Sequence, residues 1–569
     1  MPAKKPPRAA DTAPDLPPLC CSLLDDALIR YRDMRDGTLM QASLPALFAA
    51  MVADEVRDFP ALRPHQRHPW HAFLTQLAAL ALHKAGDTDP WTDAASWRDA
   101  LLALTPADPD GAAWCLVSPP DRPALLQAPV PGGRIDDWKS VCRTPDELDM
   151  LVTSRNHDLK GSRALSATPD AWLFALLSLQ TQEGFLGAGN YGISRMNGGF
   201  ASRPGIGMSP VAAWGRRWRH DLAQLLAHHD RIAQQNGLRT ADGLALLWLT
   251  PWDGTDSLAF TALDPFYIEI CRRVRLTRTA GSTSGLQAVG TGTKAARVAA
   301  KELNGRTGDA WTPIETGAGK ALTITDDGFG YRLVTELLFG ARYSPAAAQE
   351  IPTAEGDTRF EWLARGVTRG QGKTEGFHER RVPISPKVRR LLAGGQRDRI
   401  AQLAAHRIET VGEVRKLLWK SLMLLLCNGK MPGDPPKNIK QQCDVFSKPF
   451  ERSEDTRFFD DLMLEIEADG DMTATAARLT WQQGLVDRAE SFLQRAFEAG
   501  PRSAMQRYHA QSTALSYFHG GLRGPKSPVG ELADHWRQQA AERAARRDAA
   551  GMTSHEKPTP QEDLPHELA

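Results

Sequence analysis

The spacing of apolar residues changes near residue 395, and this change limits the folds that the chain can adopt. From there to residue 549, apolar side chains recur at steps of three and four, the spacing of amphipathic helices. Four or five such helices joined by short loops predict an all-α helical bundle of four-helix type over residues 395–549. Residues 18–394 instead mix strand-like and helix-like patterns. We therefore predict an α+β protein, with a mixed α/β N-terminal domain followed by an all-α C-terminal bundle.

Several local patterns predict individual elements. The turn residues Arg35-Asp36-Gly37 separate two strand-like runs and predict a hairpin. The segment HPWHAFLTQLAALALHKAG has a broad apolar face and ends on a glycine, which predicts a long, mostly buried helix. DAWLFALLSLQTQEGF predicts a second helix. Residues 1–17 and 550–569 are polar and proline-containing without periodicity, and we predict disordered tails there.

Cysteine usage and hydropathy predict the compartment of the protein. The 569 residues contain no uninterrupted apolar run long enough for a membrane span and no apolar signal core near residue 1. The seven cysteines are scattered without a CxxC pair, which favours reduced thiols over a disulfide framework or a structural zinc site. We therefore expect a cytoplasmic protein without a membrane partner, in which Cys20 and Cys21 pack within a strand.

Positive charge is concentrated in particular segments of a chain that is almost neutral overall. The sequence has 69 Lys and Arg against 68 Asp and Glu, whereas a protein that coats DNA is usually strongly basic. Residues 272–306 and 365–390 are nevertheless rich in Lys and Arg, while residues 458–471 are acidic. This distribution suits a phosphate-facing groove on an otherwise neutral body.

The most informative stretch, residues 365–385, contains GQGKT, which at first sight suggests a Walker A loop and a nucleotide-hydrolysing enzyme. Walker A needs a glycine five residues before the glycine of Gly-Lys, and that position is Val367. Gly366 lies one residue too far upstream. We interpret the preceding WLARG as the end of a helix, whereas a phosphate-binding loop follows a buried strand. Nucleotide hydrolysis remains the alternative function.

The same stretch combines glycines with cations in a way that suits contact with a nucleic acid. Glycine lets the backbone approach a ligand closely, and Arg369 and Lys373 can meet phosphates. Gln371, between Gly370 and Gly372, can reach base edges or insert between bases. The alternative for this stretch is a solvated basic turn without a ligand.

A second glycine-rich segment, residues 182–207, is predicted to be a long loop with little regular structure. Arg195 and Arg203 supply its positive charge. Long glycine-rich loops in compact domains are more often functional than purely structural. No GxGxxG follows a strand here, so a dinucleotide-binding fold is not supported.

Sequence patterns of catalysis are absent. His65, His68 and His71 are spaced three apart, but no acid or cysteine completes a set of metal ligands, so we expect them to cap or pack. Asp25 and Asp26 are adjacent, and their side chains therefore point in different directions instead of forming an acid/base pair. The chain has no GxSxG or HExxH motif. We predict that the protein is not an enzyme and binds no metal or cofactor.

Three passages, in order along the chain, resemble the CasA large subunits of type I-E CRISPR Cascade. The first is LLDDALIRYRDMRDGTLMQASLPALF, similar to the N-terminal hairpin and first helix of that family. The second, residues 144–210, resembles its flexible loop, helix and glycine-rich segment. The third, RGQGKTEGFHERRVPI, resembles the stretch before its C-terminal bundle. The resemblance covers nearly the whole chain, with similar domain sizes.

The resemblance implies a non-catalytic subunit of a ribonucleoprotein complex for antiviral defence. Such a subunit recognises a protospacer-adjacent motif (PAM) in double-stranded target DNA, mostly from the minor groove, and helps to separate the strands into an R-loop. The implied partners are the target DNA, the crRNA, the backbone, handle-binding and small subunits of Cascade, and a separate helicase-nuclease that it recruits.

The resemblance also assigns roles to residues. Gln371, with Gly370 and Gly372, matches the wedge that enters the duplex beside the motif, and Gly184 matches the glycine loop at the minor groove. The minor-groove lysine falls on Lys301 or Lys294. The loop that docks onto the crRNA matches residues 155–163, where Leu159 stands in place of an aromatic residue. The residues assigned to this docking loop are Arg155, Asn156, His157, Leu159, Lys160 and Arg163. Members with zinc carry a cysteine cluster where this sequence has only Cys271, so no zinc is implied.

The C-terminal bundle supplies further cations. We hypothesise that Arg397, Arg399 and Arg407 hold the displaced DNA strand. A third possibility for the whole chain is a helical-bundle scaffold that binds only other proteins.

Overall fold

The computed structural model describes residues 19–149, 167–182, 189–198, 203–211, 213–279, 285–352, 358–370, 373–468, 470–500 and 503–551, with residues 369, 370, 373–375 and 548–551 described by their backbone only. The chain divides into two compact units, Met1–Gln396 and Arg397–Ala569. The described residues of the first unit combine helices with short strands, and those of the second form helices. This confirms the predicted α+β class.

One helix of the first unit is almost completely buried. Helix α2 is buried from His68 to Leu82, and it ends at Gly86, which adopts the left-handed conformation with φ of 79°. The prediction of a long, mostly buried helix that ends at a glycine is therefore confirmed. The helices of this unit are α1 (Leu44–Val52), α2 (Arg67–Ala85), α3 (Ala94–Ala103), α4 (Pro145–Leu148), α5 (Pro169–Gln182), α6 (Trp214–Asn236), α7 (Tyr331–Leu338) and α8 (Pro386–Ala393).

Short strands alternate with these helices along the chain. Among the described residues they form small sheets of two or three strands. The hairpin predicted around Gly37 is formed by β2 and β3, and Gly37 has the positive φ, 75°, that its turn requires. The strands are β1 (Cys20–Ser22), β2 (Ile29–Asp33), β3 (Leu39–Ala42), β4 (Val56–Asp58), β5 (Cys115–Val117), β6 (Ser140–Cys142), β7 (Gly205–Pro210), β8 (Leu244–Leu246), β9 (Leu258–Ala259), β10 (Leu263–Ile268), β11 (Arg273–Arg278), β12 (Leu286–Thr291), β13 (Val298–Ala299), β14 (Ile314–Glu315), β15 (Lys320–Ala321), β16 (Tyr343–Ser344), β17 (Phe360–Gly370) and β18 (Lys373–Ile384).

The core of the first unit is rich in aromatic residues. The ring of Phe48 lies 4.6 Å from that of Trp97 and 5.5 Å from that of Trp218, measured between centroids. These residues come from α1, α3 and α6, and all three side chains are fully buried. Aromatic pairs at such distances add to the stability that burial of their large apolar surface provides.

The longest strands form one antiparallel sheet in the order β18-β17-β7. Phe360 on β17 pairs with Ile384 on β18 and with Pro210 on β7. Strand β7 lies in the segment predicted to be an irregular loop, and β17 contains the WLARG that was predicted to end a helix. The loop prediction was wrong from residue 205 onward, whereas residues 189–198 have little regular structure, as predicted. The helix prediction was wrong. Residues 205–210 and 362–368 are buried without the alternation that marks a half-exposed strand.

Among the described residues, the second unit is a set of long helices linked by ion pairs, one of them buried and one half-buried. Nη2 of Arg407 lies 2.6 Å from Oε2 of Glu465, and Nε of Arg488 lies 2.5 Å from Oε1 of Glu454. Among the described residues, no helix of either unit combines the length and apolar character needed to cross a membrane. The helices of the second unit are α9 (Arg397–Leu426), α10 (Lys437–Ile466), α11 (Asp471–Arg495), α12 (Ala504–Arg523) and α13 (Gly530–Gly551).

A buried carboxyl on β10 gives the first unit a pH-dependent stability. Burial raises the pKa of Asp264 from 3.8 to about 6, so the folded state holds this proton more tightly than the unfolded chain. The resulting penalty develops between pH 3.8 and about 6 and is complete above that range. We expect Asp264→Asn, which keeps the acceptor for the N–H of Phe266, to stabilise the protein by about 1–3 kcal/mol at pH 7.5.

Denaturant unfolding of both proteins at pH 4.5 and pH 7.5 tests this expectation. The gain from Asp264→Asn should shrink at the lower pH, where the unsubstituted carboxyl is largely protonated. An equal gain at both pH values would contradict the raised pKa of Asp264.

Candidate nucleic-acid interface

The basic glycine-rich stretch is the end of a long β-hairpin. Gly370 on β17 pairs with Lys373 on β18, which leaves two residues, Gln371 and Gly372, to connect the strands. The register shifts between Thr368 and Arg369, a bulge of the kind that increases local twist. Gln371 and Gly372 lie outside the described residues, and their predicted role as a wedge stays a prediction.

The hairpin lacks the geometry of a nucleotide-binding loop. In a Walker A motif a strand leads through the loop into a helix, whose N-terminal N–H groups bind phosphate. Here Lys373 begins an antiparallel strand that continues to Ile384. The expected helix end before GQGKT was wrong. The observed hairpin nevertheless gives nucleotide hydrolysis no support, because Lys373 begins a strand where a Walker A motif would begin a helix.

Acids on the hairpin itself neutralise part of its positive charge. Nε of Arg365 lies 2.6 Å from Oε2 of Glu379, and Arg381 contacts both Glu379 and Glu361, at 3.0 and 2.9 Å. Arg365 is buried, and this burial, with Arg217 nearby, lowers its pKa to about 9. The cations of the stretch are therefore not all available to a ligand. The side chains of Arg369 and Lys373 lie outside the described residues, and both remain predicted phosphate contacts.

The glycine-rich segment before β7 holds two internal arginines. Arg195 donates from Nη2 to the carbonyl of Tyr267 at 2.8 Å and lies 3.1 Å from Glu269. Arg203 contacts Asp309 through two bonds of 2.5 and 2.6 Å. Both guanidinium groups are buried, which corrects the expectation that they supply charge to a loop. They fix the segment to the core.

A glycine of β7 is required by close packing. A Cβ atom at Gly205 would lie 2.1 Å from Nδ1 of His68, a buried side chain on α2. We therefore expect Gly205→Ala to cost about 1–3 kcal/mol of stability, because the buried imidazole ring of His68 must shift to make room for the added methyl group. Gly317→Ala is the matched control, since a Cβ at Gly317 meets nothing within 4 Å. Chemical denaturation measures both, and equal stability of the two variants would contradict the packing.

The described part of the glycine-rich segment lines an open groove of about 490 Å³. Its lining residues are Ser257 and members of two stretches, residues 191–198 and 296–301. Lys301 is exposed and lines the groove. Lys294 is also exposed, but it is not a lining residue, and its backbone N–H donates to the carbonyl of Gly254. Of the two predicted lysines, the structure brings Lys301 to the glycine-rich segment.

Residues 321–325 form hydrogen bonds with both the glycine-rich segment and the hairpin. The side-chain amide of Asn197, within the glycine-rich segment, donates to the carbonyl of Ala321 at 2.7 Å. A few residues further on, the carbonyl of Thr325 accepts a bond of 3.1 Å from the hydroxyl of Thr368 on β17. Both features therefore belong to one packed part of the first unit.

Two other groups of predicted contacts lie outside the described residues. These are Gly184 and the docking loop of residues 155–163 with Arg155, Asn156, His157, Leu159, Lys160 and Arg163. Just before that loop, Asp149 accepts bonds from His65 and Gln66 at 2.6 and 2.7 Å. His71 contacts Asp221 at 2.7 Å. The predicted packing role of these two histidines is confirmed.

The arginines of the second unit have different environments. Arg407 is 1% exposed and contacts Glu465 with Nε and Nη2. It cannot reach a DNA strand, so its predicted role there was wrong. Arg399 is exposed and Arg397 is half-buried; for these two residues, contact with the displaced strand stays a prediction.

Some groove residues had no signal in the sequence. Ser257 is far along the chain from Tyr191, and no spacing motif links them, because the fold alone brings them to one groove. Tyr191 lies within the glycine-rich segment, where an aromatic residue among glycines was the available signal.

Comparison with solved structures identifies the fold. No family model matches the sequence, and no curated protein matches it either. The structure is similar to Cse1, a CRISPR-associated protein from Acidimicrobium ferrooxidans, with 15% identity and a TM-score of 0.58 over 91% of this chain and 99% of that one. It is similar to Thermus thermophilus CasA (Cse1), with 13% identity and a TM-score of 0.56 over 90% and 99%. It is also similar to Thermobifida fusca Cse1, with 13% identity and a TM-score of 0.55 over 90% of this chain and 98% of that one. The chain therefore has the fold of the Cse1/CasA proteins.

Proposed function

We propose that this chain is the non-catalytic large subunit of a type I-E CRISPR surveillance complex, which recognises the PAM in double-stranded DNA and helps to open it. The observation that supports this most is the pairing of a lysine-bearing groove with the glycine-rich segment. The hairpin with the Gly370–Lys373 turn lies on the same unit. The Cse1/CasA fold over about nine-tenths of the chain supports the same proposal.

In this proposal the groove recognises the motif and the hairpin opens the duplex beside it. Lys301 reads the minor groove, whose narrow width and acceptor edges favour a long cationic side chain. The glycine backbone at Gly184 approaches the duplex closely because it has no Cβ. Gln371 then substitutes for base stacking as the base step beside the motif opens, which costs a few kcal/mol per step. Pairing of the guide RNA with the target strand offsets that cost.

The remaining partners contact other parts of the chain. We propose that residues 155–163 dock onto the crRNA and the neighbouring subunits, and that Arg397 and Arg399 contact the displaced strand. A separate helicase-nuclease, recruited to the opened complex, would perform the cleavage. This chain would then bind, orient and separate strands without forming or breaking a covalent bond.

Substitution of the two candidate lysines tests the groove. Because Lys301 lines it, we expect Lys301→Ala in the assembled complex to weaken motif-containing duplex binding about tenfold and to lower the salt slope by about 1. Lys294→Ala should have a smaller effect, and Lys139→Ala, at an exposed lysine outside the groove, should have none. Filter binding at several salt concentrations measures all three. Equal affinity of the Lys301→Ala and Lys139→Ala complexes would favour a protein-only scaffold.

A further inference from the structure

A second concave site of the first unit, which we call the α6 pocket, lies at the C-terminal end of α6. Its volume is about 320 Å³, at the lower end of the range for sites that hold a small organic molecule. Its lining residues come from three stretches, residues 231–236, 303–314 and 344–347. The α6 pocket shares no lining residue with the groove at Lys301, so the recognition of a DNA motif by that groove does not explain it.

Two arginines give the α6 pocket a positive charge. Arg306 is exposed, and its Nε forms one long bond, of 3.4 Å, to a backbone carbonyl. It forms no ion pair with any residue that the structure describes. Arg231 on α6 is also exposed, and its Nη2 lies 2.6 Å from Oε1 of Glu350. Asp309 is the acidic residue among the described lining residues, and both of its oxygens accept bonds from Arg203, at 2.5 and 2.6 Å. The guanidinium charge of Arg306 therefore has no compensating acid in the pocket.

The other lining side chains suit the body of an organic ligand. Gln235 is exposed, and its amide forms no hydrogen bond with the part of the chain that the structure describes. Asn236 donates from Nδ2 to the carbonyl of Ile232 at 2.8 Å, which leaves its Oδ1 as an acceptor. Ile314 and Ala347 are among the apolar side chains of the lining. The pocket thus combines a free cation, amides that can pair with the edge of a base, and apolar surface.

Close contacts hold the three stretches of the lining together. Gly308 has a φ of 74°, and a Cβ atom there would lie 2.7 Å from Cγ2 of Ile232 on α6. The backbone at Gly308 is therefore in direct contact with the helix. The N–H of Ala348, next to the third stretch, donates to the carbonyl of Ala310 at 2.8 Å. Because the lining is already in place, a ligand does not have to order it, which favours binding.

We propose that the α6 pocket binds one unpaired nucleotide. Arg306 contacts the phosphate, with Arg231 beside it, because a guanidinium group meets phosphate oxygens with paired, charge-assisted hydrogen bonds. The amides of Gln235 and Asn236 contact the edge of the base, and the apolar side chains pack against its face or the sugar. A bare phosphate ion would leave the amides and the apolar surface without a partner. A free nucleotide and an unpaired nucleotide within a single strand offer the same chemical groups.

Isothermal titration calorimetry of the full-length chain tests this proposal with AMP as the probe. AMP has no phosphoanhydride bond, so its binding is separate from nucleotide hydrolysis. We expect AMP to bind at least about tenfold more tightly than adenosine, which lacks the phosphate, or inorganic phosphate, which lacks the base. Arg306→Ala should weaken AMP binding by at least about tenfold. Arg239→Ala, at an exposed arginine just after α6 that does not line the pocket, is the control and should bind AMP normally.

Competition with a short single-stranded oligonucleotide distinguishes the two sources of the nucleotide. Displacement of AMP by the oligonucleotide would support the proposal and assign the pocket to a nucleotide within a strand. Binding of AMP without such displacement would support it and assign the pocket to a free nucleotide. The proposal would be overturned if AMP did not bind, if Arg306→Ala left its affinity unchanged, or if inorganic phosphate or glutamate bound as tightly as AMP. None of these readouts depends on the motif, the guide RNA or other Cascade subunits.

Discussion

Arg407→Ala should lower the free energy of unfolding of the helical unit by about 3–5 kcal/mol, because it leaves part of a buried charge network without its partner. Arg407 lies on α9, its partner Glu465 on α10, and its guanidinium carbon lies 4.3 Å from the centroid of the Trp481 ring on α11. One side chain thus connects three helices. Glu465 keeps a contact of 2.9 Å with Arg478, so it would be only partly compensated.

Denaturant unfolding followed by circular dichroism measures this loss. Lys420→Ala is the matched control, because Lys420 is exposed on the same helix, and it should change stability by less than about 0.5 kcal/mol. Arg407→Met should lose less than Arg407→Ala, because methionine fills the volume beside Trp481. Unchanged stability of Arg407→Ala together with weaker binding of single-stranded DNA would restore the predicted role of Arg407 at the displaced strand.

Gln371→Ala should slow motif-dependent opening of the target duplex about tenfold to a hundredfold while the complex still assembles. The physical reason is that the short alanine side chain cannot substitute for base stacking when the base step opens, and a few kcal/mol correspond to a change of this size. Fluorescence of 2-aminopurine placed beside the motif measures the opening rate. Gln441→Ala, at an exposed glutamine of the helical unit, should match the unsubstituted chain.

A neighbouring substitution distinguishes the nucleotide-hydrolysis alternative. Lys373→Ala should weaken duplex binding, since it removes a cation, and neither form of the protein should turn over ATP or GTP. If the protein turned over a nucleotide and Lys373→Ala abolished that turnover, the enzyme alternative would be supported. If Gln371→Ala opened the duplex at the normal rate, Gln371 would not act as the wedge.

The spacing of apolar residues predicted the helices that have one exposed face. It also predicted α2, whose apolar run is too long for a strand. The repeat of three and four residues predicted the all-helical second unit, and the long apolar run closed by Gly86 predicted α2. Strand β17 was missed because residues 362–368 are buried without interruption. A strand covered on both faces has no alternation, so its sequence cannot be told from a helix by period alone.

Charge in the sequence was a poorer guide to the site than glycine. Arg195, Arg203 and Arg407 counted as available cations, yet their partners Glu269, Asp309 and Glu465 lie 74, 106 and 58 residues away. Only the folded chain brings such acids to these arginines. Lys301 is exposed and lies beside the glycine-rich segment. No spacing rule could have predicted that the two lie together.

Opening of a guide-matched duplex, measured with and without this chain, tests most directly whether the chain recognises the motif and helps to separate the strands. Guide-loaded partner subunits are mixed with a duplex that carries 2-aminopurine beside the protospacer-adjacent motif. We predict that fluorescence rises only when the full-length chain is added, and only on duplexes that carry the motif. Failure of the chain to join the guide-loaded subunits, or equal fluorescence in its presence and absence, would contradict the account.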